Sequence, residues 1–405
     1  MKRIAAALLC GVLFFGVYGQ VDTSKSKFWM MTYFRNDLDQ TNGVYLAFSS
    51  DTTGIRWQKY RGDTVIMKPG TALGTTNNLC RDPMIAYAAV GDSFHLIWTV
   101  AWTGTIIGYA SSKNLKTWST PVGLPVGQNI ANCSVCWAPE IYYDDLQIQN
   151  KWMIYWSTNQ SGGDKHIYYV LTNNIRSLTT APTPTLLFNP GYTVIDANIF
   201  KYATGSYYMF FKDERDGNDN KDIHYVTGST PQGSWGTVHA KVANYGTEGP
   251  CLVKQGNEYH CFFDPYGTTV TYRMTRTTDI NTTTTPWTDA GTLQYWVSGT
   301  TYASFRYSHA NVIEIPKKYV LWMLYNIPLP TVGVKYMPTI MPKTELYGGN
   351  IRVFDLSGRM VAIERILSGY GTSSKLFIGH LPAGFYVKTA GNENRSVQKE
   401  LVKQK

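Results

Sequence analysis

The sequence predicts an all-β protein, a five-bladed β-propeller followed by a small C-terminal β-sandwich. Three observations lead to this prediction. One short layout recurs five times, Gly-containing turns separate its aromatic-rich strands, and the character of the chain changes after residue 342. The chain has 405 residues, 43% of them hydrophobic and 16% charged, so it can bury a large core and is not disordered.

The first 19 residues have the pattern of an export signal peptide. Lys2 and Arg3 precede an apolar stretch over residues 4–17, and we expect cleavage before Gln20. Beyond residue 20 no run is long and apolar enough to span a bilayer as a helix. We therefore expect a secreted or cell-surface protein without a transmembrane segment.

Residues 20–342 contain the five-fold repeat. In each unit a short polar motif opens an apolar strand, and an aromatic-rich strand follows. The motifs recur every 52 to 61 residues, enough for four short strands with turns between them. The five motifs are Arg81-Asp82-Pro83, Trp137-Ala138-Pro139-Glu140, Ile195-Asp196-Ala197-Asn198, Glu248-Gly249-Pro250 and Ser308-His309-Ala310.

The two ends of this region indicate how the propeller closes. The fifth unit continues with a predicted strand at 319–323 but lacks a third strand. The stretch 44–48 supplies the missing strand, so both ends join in one blade, while a further strand at 28–34 has no assigned place. A sandwich of strand pairs is the alternative fold. Typical turn dipeptides separate several strands: Gly91-Asp92, Gly205-Ser206 and Gly256-Asn257.

Residues 343–405 form a separate predicted domain. Alternating strands around Gly turns indicate a small β-sandwich. Residues 346–405 carry nine Lys or Arg and four Asp or Glu, so much of the net charge of +9 lies outside the repeats. Because the repeat region has no concentrated basic face, nucleic-acid binding is excluded as a function class.

Five cysteines remain after removal of the signal peptide. Cys251 and Cys261 flank a predicted turn and could face each other across a hairpin. Cys133 and Cys136 form a C-x-x-C motif, but no second pair completes a zinc site. Because export permits disulfides, we expect one or two bridges and a leftover thiol.

Equivalent positions on the innermost strands of a propeller converge at one mouth of its channel. The repeat therefore predicts that Asp82, Glu140, Asp196, Glu248 and His309 line one pocket. Each motif alone is an ordinary turn opener, but four acids and a histidine in register favour function. Converging carboxylates suit glycoside hydrolysis, in which one acid protonates the leaving oxygen and another activates water or attacks the sugar. Crowding should raise the pKa of at least one of them.

A metalloenzyme is the competing interpretation of these carboxylates. A hard, oxygen-ligated ion would suit them, but the sequence has no H-E-x-x-H motif or tight histidine cluster. We therefore expect no required cofactor.

These motifs resemble those of glycoside hydrolase family 43, which cleaves arabinose- and xylose-containing polysaccharides with inversion on a five-bladed propeller. The resemblance covers about residues 26–330. It implies that Asp82 in the D-P motif is the general base and Glu248 in the E-G-P motif the general acid. Asp196 in the I-D motif would modulate the pKa of the acid and orient substrate. The late histidine matches His309, which implies contact through water with a structural Ca²⁺ in the channel.

Several further residues are candidates for contact with the sugar. Glu140 is expected to shape the rim, Arg81 adjoins the base, and Lys212 lies in a K-D-E-R segment that either touches substrate or is a solvated loop. Aromatic side chains are candidate stacking platforms, with the blade core as the alternative: Trp137, Trp98 and Phe200.

Two further stretches carry resemblances. Residues 31–36 and 47–51 resemble an arabinosidase branch of the family. The D-x-x-G-R and L-P-x-G-x-Y patterns in 345–405 resemble type IX secretion sorting domains, which implies secretion machinery as a partner.

The predicted protein is thus a monomeric, exported, inverting hydrolase of plant cell-wall arabinan or arabinoxylan. Its activity would be of the α-L-arabinofuranosidase, endo-arabinanase or β-xylosidase type. A fructan-cleaving, invertase-like propeller is one alternative, because Asn36-Asp37, an R-D-P motif and a late Glu are present. However, Asn36-Asp37 is not followed by Pro-Asn-Gly, and Glu248 is followed by Gly rather than Cys. A non-catalytic carbohydrate-binding propeller is the other alternative.

Overall fold

The computed structural model describes residues 21–329 with short gaps, and four strands near the C-terminus. The gaps are at 39, 90, 144–151, 161–162, 218–220, 240–241, 244–245, 267–270, 282–286, 299 and 306–307. The predicted signal peptide lies outside the described residues. The chain divides into two compact units, Met1–Thr331 and Val332–Lys405.

The first unit is built almost entirely of short strands. They are β1 (Trp29–Phe34), β2 (Tyr45–Ser49), β3 (Arg56–Lys59), β4 (Arg81–Ala88), β5 (Ser93–Thr99), β6 (Ile107–Ser112), β7 (Val122–Leu124), β8 (Trp137–Tyr143), β9 (Trp152–Asn159), β10 (Lys165–Thr172), β11 (Thr185–Phe188), β12 (Val194–Ala203), β13 (Ser206–Asp213), β14 (Ile223–Gly228), β15 (Thr247–Gln255), β16 (Glu258–Pro265), β17 (Arg273–Thr277), β18 (Thr288–Thr292), β19 (Gln294–Ser298), β20 (Thr301–Ser304) and β21 (Ser308–Glu314). A helix, α1 (Lys317–Tyr325), follows the last of these strands.

The strands form five sheets, the blades of a propeller. From the innermost strand outward, blade 1 is β4-β5-β6-β7, blade 2 is β8-β9-β10-β11, blade 3 is β12-β13-β14 and blade 4 is β15-β16-β17-β18. Blade 5 is β21-β1-β2-β3, extended by β19 and β20. The innermost strands contact their neighbours in a closed ring. The predicted five-bladed propeller is confirmed.

Blade 5 closes the ring by joining the two ends of the unit. Strand β21 pairs antiparallel with β1, and β1 pairs with β2, which contains residues 45–49. The prediction that residues 44–48 complete the last blade is therefore confirmed. The previously unassigned stretch at 28–34 provides the second strand of this blade.

Residues 319–323 belong to α1, so the prediction of a strand there is wrong. Tyr319, Val320 and Met323 are buried together, which is the spacing of a helix face rather than the alternation of a strand. The ring of Tyr319 packs edge-on against Phe94 with 4.6 Å between centroids. Because β1 already occupies the second position of blade 5, this apolar segment packs as a helix against the β4–β5 hairpin.

Each pair of adjacent blades encloses an apolar core. Since both faces of a blade are packed, its strands are apolar on both faces, which accounts for the low content of charged residues. One buried residue from each blade of a pair illustrates the five cores: Leu46 with Leu96, Ile97 with Trp156, Met153 with Met209, Phe210 with Cys261, and Phe262 with Trp57.

The five cysteines that the structure describes in this unit are free thiols, so the expectation of disulfides is corrected. In the β15–β16 hairpin, Cys251 is opposite Phe262, and Cys261 is opposite Leu252. The two cysteines are therefore one register step apart, and their side chains lie on opposite faces of the sheet. Cys251 is in the core between blades 4 and 5, and Cys261 is in the core between blades 3 and 4.

The second unit contains an antiparallel sheet with the strand order β23-β22-β24-β25. Its strands are β22 (Asn350–Asp355), β23 (Met360–Arg365), β24 (Gly384–Gly391) and β25 (Gln398–Gln404). The β-sandwich predicted for 343–405, and the boundary at residue 342, stay predictions. In the part of the chain that the structure describes, no helix is long and apolar enough to cross a membrane.

Candidate active site

A β-bulge interrupts each innermost strand near its start. The register breaks between Arg81 and Met84 in β4, for example, and corresponding breaks occur in the other four blades. One residue in each bulge adopts a positive φ: Asp82 (48°), Ala138 (44°), Asp196 (57°), Gly249 (59°) and His309 (36°). Bulges re-aim side chains, and strained backbone of this kind is concentrated at functional sites.

The bulges correct the predicted alignment of the five motifs. Asp82, Asp196 and His309 occupy equivalent positions, whereas Glu248 precedes its bulge residue by one and Glu140 follows its bulge residue by two. The acids therefore lie at more than one level of the ring. Sequence spacing alone could not reveal this offset, because it does not show which residue of a motif forms the bulge.

His309 links two of the predicted catalytic carboxylates. Its Nδ1 lies 3.4 Å from Asp82 Oδ1 and 3.8 Å from Asp196 Oδ2. The other oxygen of Asp82 accepts a hydrogen bond of 2.8 Å from the Thr99 hydroxyl. Asp82 and Asp196 are thus brought to one end of the ring although 114 positions separate them in the sequence.

Asp196 is also tied to the segment that carries Glu248. Its Oδ2 accepts a hydrogen bond of 3.0 Å from the backbone N–H of Gly249. A Cβ at Gly249 would lie 2.9 Å from the His309 ring, so this glycine permits close approach of the two blades. Burial raises the pKa of Asp196 to about 6; the charge of His309 opposes the rise and that of Glu248 adds to it.

Glu248 is held by a buried lysine. Lys212 is 4% exposed, and its ammonium group donates a hydrogen bond of 2.7 Å to Glu248 Oε2. The same nitrogen lies 2.7 Å from Glu214 Oε2 and 4.4 Å from the centroid of the Tyr266 ring. Burial alone would lower the pKa of Lys212, but the carboxylates of Glu248, Asp196 and Glu214 outweigh it and raise that pKa. The solvated-loop alternative for Lys212 is therefore wrong.

Lys212 occupies a position that connects adjacent blades throughout this part of the ring. The second strands of blades 1 to 4 each carry a side chain at this position, opposite the residue that precedes the bulge residue. These side chains are Thr99, Ser157, Lys212 and Asp264. Each reaches the next blade. Thr99 and Ser157 accept from the N–H groups of Ala138 and Asp196, Asp264 accepts from that of His309, and Lys212 donates to Glu248.

Glu140 lies below these groups rather than at the rim. Its carboxylate accepts hydrogen bonds of 2.6 Å from the Tyr155 hydroxyl and 2.8 Å from Asn198 Nδ2. Burial raises its pKa to about 7. The prediction that at least one acid has a raised pKa is confirmed, although burial rather than crowding is the main cause.

Glu140 should make the stability of the fold depend on pH. The folded protein retains its proton between the ordinary pKa of 4.5 and about 7, whereas the unfolded chain releases it. The contribution of Glu140 to the free energy of unfolding therefore falls by about 3 kcal/mol as pH rises through this window, at roughly 1.4 kcal/mol per pKa unit. Urea unfolding of Glu140→Gln between pH 4.5 and 7 should lack this decrease, while Asp289→Asn, at an exposed acid, should retain it. Parallel wild-type and Glu140→Gln curves would contradict the assignment.

His309 is surrounded by acids. Burial would lower the pKa of His309, but the carboxylates of Asp196, Asp82, Glu248 and Glu140 outweigh burial and raise it. In this setting the His309 imidazolium is a counter-ion to the surrounding carboxylates. Among the residues that the structure describes, no three His, Cys, Asp or Glu side chains are grouped closely enough to hold a metal ion. The residues do not fit a directly ligated Ca²⁺, and an ion contacted through water stays a prediction.

An aromatic shelf adjoins Asp82. Trp137 donates a hydrogen bond of 2.9 Å from Nε1 to the backbone oxygen of Trp102, and their rings meet edge-on at 6.2 Å. The guanidinium of Arg81 lies 4.2 Å from the Trp102 ring centroid and 3.9 Å from Asp82 Oδ1. Trp102 is 53% exposed. We call Trp102 and Trp137 the tryptophan shelf.

The other two predicted stacking residues lie elsewhere. Trp98 is fully buried in the core between blades 5 and 1, so its core alternative is confirmed and its stacking role is wrong. Phe200 packs at the core between blades 3 and 4, edge-on to Tyr259 at 5.9 Å. Its contact with substrate stays a prediction. A separate cavity of about 260 Å³, lined by Phe48, Arg56 and Tyr302 among others, includes none of the five motif residues.

Sequence reasoning missed three residues of this site: Trp102, Thr99 and Glu214. Thr99 is the last residue of the second strand of blade 1 and Trp102 follows that strand, at the end where the Asp82 motif begins. That position was the available signal, since hairpin pairing returns this strand to Asp82. Glu214 stands within the K-D-E-R segment, but nothing in the sequence distinguishes it from a surface acid.

A closed five-bladed propeller with acids gathered at one end of its inner strands is the architecture of a propeller hydrolase. The family model described as a probable glycosyl hydrolase domain, related to glycoside hydrolase family 43, matches residues 25–319. The chain belongs to this family. A second model, the secretion system C-terminal sorting domain, matches residues 331–404 and indicates export to the cell surface or beyond by type IX secretion.

Several solved structures are similar to this chain. An α-L-arabinofuranosidase from Lactobacillus brevis is 15% identical, with 52% of this chain and 72% of that chain covered and a TM-score of 0.42. An endo-arabinase from Bacteroides thetaiotaomicron VPI-5482 is 11% identical, with 82% and 96% covered and a TM-score of 0.41. A xylan β-1,4-xylosidase from Bacillus halodurans C-125 is 22% identical, with 52% and 41% covered and a TM-score of 0.39. A comparison with curated protein sequences gave no match.

Proposed function

We propose that the protein is an exported, inverting glycoside hydrolase of arabinose- or xylose-containing plant polysaccharides. The observation that carries this proposal is the junction at His309 and Gly249. Asp82 and Asp196 share one nitrogen of His309, and Asp196 binds the backbone beside Glu248. Three carboxyl groups from three blades are thereby assembled at one end of the ring.

Asp82 acts as the general base in this proposal. One of its oxygens is engaged by Thr99, and the other faces His309 and Arg81. These contacts fix the orientation of the Asp82 carboxylate, as a positioned general base requires. It removes a proton from a water molecule that attacks the anomeric carbon. Inversion needs room for this water, so we expect the Asp82 and Glu248 carboxyl groups to be about 6.5–9.5 Å apart.

Glu248 acts as the general acid and protonates the departing glycosidic oxygen. It is the most exposed of the three acids, with 27% of its side chain accessible, against 9% for Asp82 and 7% for Asp196. Asp196 and Lys212 position it, one through the Gly249 backbone and the other through the carboxylate itself. Orientation of a reacting group is worth several kcal/mol in catalysis.

The tryptophan shelf is the proposed wall of the sugar subsite next to Asp82. Indole rings bind the apolar face of a sugar ring by stacking, and their N–H groups need polar partners. The Nε1 of Trp137 already has such a partner in the Trp102 backbone. The ring of Trp102 is 53% exposed, and it can stack on a sugar on the side that the Arg81 guanidinium leaves open.

The product configuration tests the proposal. Proton NMR during hydrolysis of nitrophenyl arabinofuranoside, nitrophenyl xyloside, arabinan and arabinoxylan should show release of the inverted anomer from at least one of them. Activity on levan with retention would favour the fructan-cleaving alternative. Calorimetric binding of these polymers without any product would instead favour a carbohydrate-binding protein.

Lys212→Met should lower kcat by about 10-fold or more with a smaller change in KM. Methionine retains packing volume but cannot hold the Glu248 carboxylate, so the acid loses its orientation before reaction. Steady-state kinetics on the best substrate of the panel measures both constants. Lys254→Met, which removes an exposed lysine from the same blade as Glu248, is the matched control and should leave them unchanged. An unaltered kcat in Lys212→Met would show that Lys212 does not position the acid.

A further inference from the structure

Two thiols lie in contact beside the tryptophan shelf. The sulfurs of Cys133 and Cys136 are 3.8 Å apart, in the segment between β7 and β8 that leads directly into Trp137. Neither residue takes part in the acid cluster. The contact therefore needs an explanation other than the proposed hydrolysis.

The surrounding fold keeps the two sulfurs together. Cys133 Sγ is 3.2 Å from the Thr158 hydroxyl, which itself donates a hydrogen bond of 2.6 Å to the backbone oxygen of Val135. A Cβ at Gly127 would lie 2.6 Å from Cys136 Sγ and 2.7 Å from Cys133 Sγ. Any side chain at Gly127 would collide with both sulfurs, so the glycine makes room for the pair.

The two thiols differ in the way that disulfide exchange requires. Cys133 is partly exposed, whereas Cys136 is 3% exposed. The hydrogen bond from Cys136 lowers the pKa of Cys133 to about 6 and raises that of Cys136 well above its ordinary value. An accessible thiolate attacks external disulfides, and a buried neighbour resolves the product.

We propose that Cys133 and Cys136 form a redox-active dithiol that closes to a disulfide when the exported protein meets an oxidising disulfide. The Cys133 thiolate attacks one sulfur of that disulfide, which yields a mixed disulfide and releases the first thiol. Cys136 then loses its proton and attacks the Cys133 sulfur, which releases the second thiol. Two electrons and two protons pass from the cysteine pair to the oxidant, which is reduced to two thiols.

A disulfide between Cys133 and Cys136 would restrain the segment that supports the tryptophan shelf. Between the two cysteines, Ser134 donates from its backbone N–H and its hydroxyl to Asn159 Oδ1, at 3.0 and 3.1 Å. The backbone oxygen of Ser134 accepts a hydrogen bond of 2.8 Å from the backbone N–H of Gly104, two residues beyond Trp102. Because the closed loop is very short, the disulfide constrains the unfolded chain little, and its effect is local to this segment.

The arrangement of cleavage sites makes a direct test possible. Trypsin releases residues 117–151 as one peptide that contains both cysteines, while the other cysteines of the propeller lie on separate peptides. The full-length protein is incubated with oxidised glutathione, denatured, alkylated with iodoacetamide and digested. The expected result is a 117–151 peptide that has lost two hydrogens and carries no alkyl group. The peptides with Cys80, Cys251 and Cys261 should be alkylated.

Three variants make the result specific. Cys136→Ser should stop at a glutathione adduct on Cys133, Cys133→Ser should react at least 10-fold more slowly, and Cys80→Ser should behave as wild type. Double alkylation of peptide 117–151 after oxidation would overturn the proposal, as would a stable glutathione adduct in the wild type. The readout is a mass, so its outcome is independent of whether the protein hydrolyses a polysaccharide.

Discussion

Replacement of Asp82 by Asn should reduce kcat by about 10²- to 10⁴-fold, the range that general acid–base catalysis contributes. The amide cannot accept a proton from water at neutral pH. The amide oxygen can still accept the hydrogen bond from the Thr99 hydroxyl, and Asn tolerates the positive φ of 48° at this bulge. The Asp82→Asn variant should therefore fold normally but lack the general base.

Reducing-sugar release from the best polysaccharide substrate measures this effect, and thermal unfolding by circular dichroism checks the fold. Asp289→Asn is the matched control, since Asp289 is an exposed acid in the outermost strand of blade 4. It should retain full activity. Full activity in Asp82→Asn with an unchanged unfolding temperature would remove Asp82 from the role of base.

Glu248→Gln should produce a loss that depends on the leaving group. A polysaccharide alcohol needs a proton to depart, so its hydrolysis should fall by about 10²- to 10⁴-fold. A dinitrophenolate leaves without a proton, and hydrolysis of the corresponding aryl glycoside should fall by 10-fold at most. Gln can still accept the Lys212 hydrogen bond, so the side chain stays in place.

The kcat values of wild type and Glu248→Gln on a dinitrophenyl glycoside and on the polymer decide this prediction. Glu258→Gln, at the far end of the same hairpin, should be unchanged on both substrates. Equal losses of Glu248→Gln on both would falsify the role of Glu248 as proton donor. A selective loss on the polymer separates the acid from the base, since Asp82→Asn should affect both substrates alike.

Much of the architecture follows from the regularity of the sequence. A motif recurring every 52 to 61 residues, each copy followed by an aromatic strand, predicts five similar sheets. The stretch 44–48 predicts closure through the N-terminus. The strand predicted at 319–323 is a helix in the structure. The apolar run there fits either element, and because β1 already occupies the second position of blade 5, the run packs as a helix.

Which residues form the candidate site could largely be predicted from the sequence, but the contacts between them could not. The repeat indicated that Asp82, Asp196 and His309 converge, because equivalent positions of a ring share one end. The pairing of Lys212 with Glu248 was not predictable, since it joins two blades through a second strand. The burial of Glu140 depends on a bulge whose position leaves no mark in the sequence.

The amino-acid sequence by itself determined the number of blades, the way the ring closes and the set of acids brought to one end. These follow from periodicity, which is a property of the chain taken alone. Tertiary structure decided which acid is buried and which one a lysine holds. Such contacts join segments from different blades, and their distances depend on bulges and packing that arise only when the five sheets are assembled.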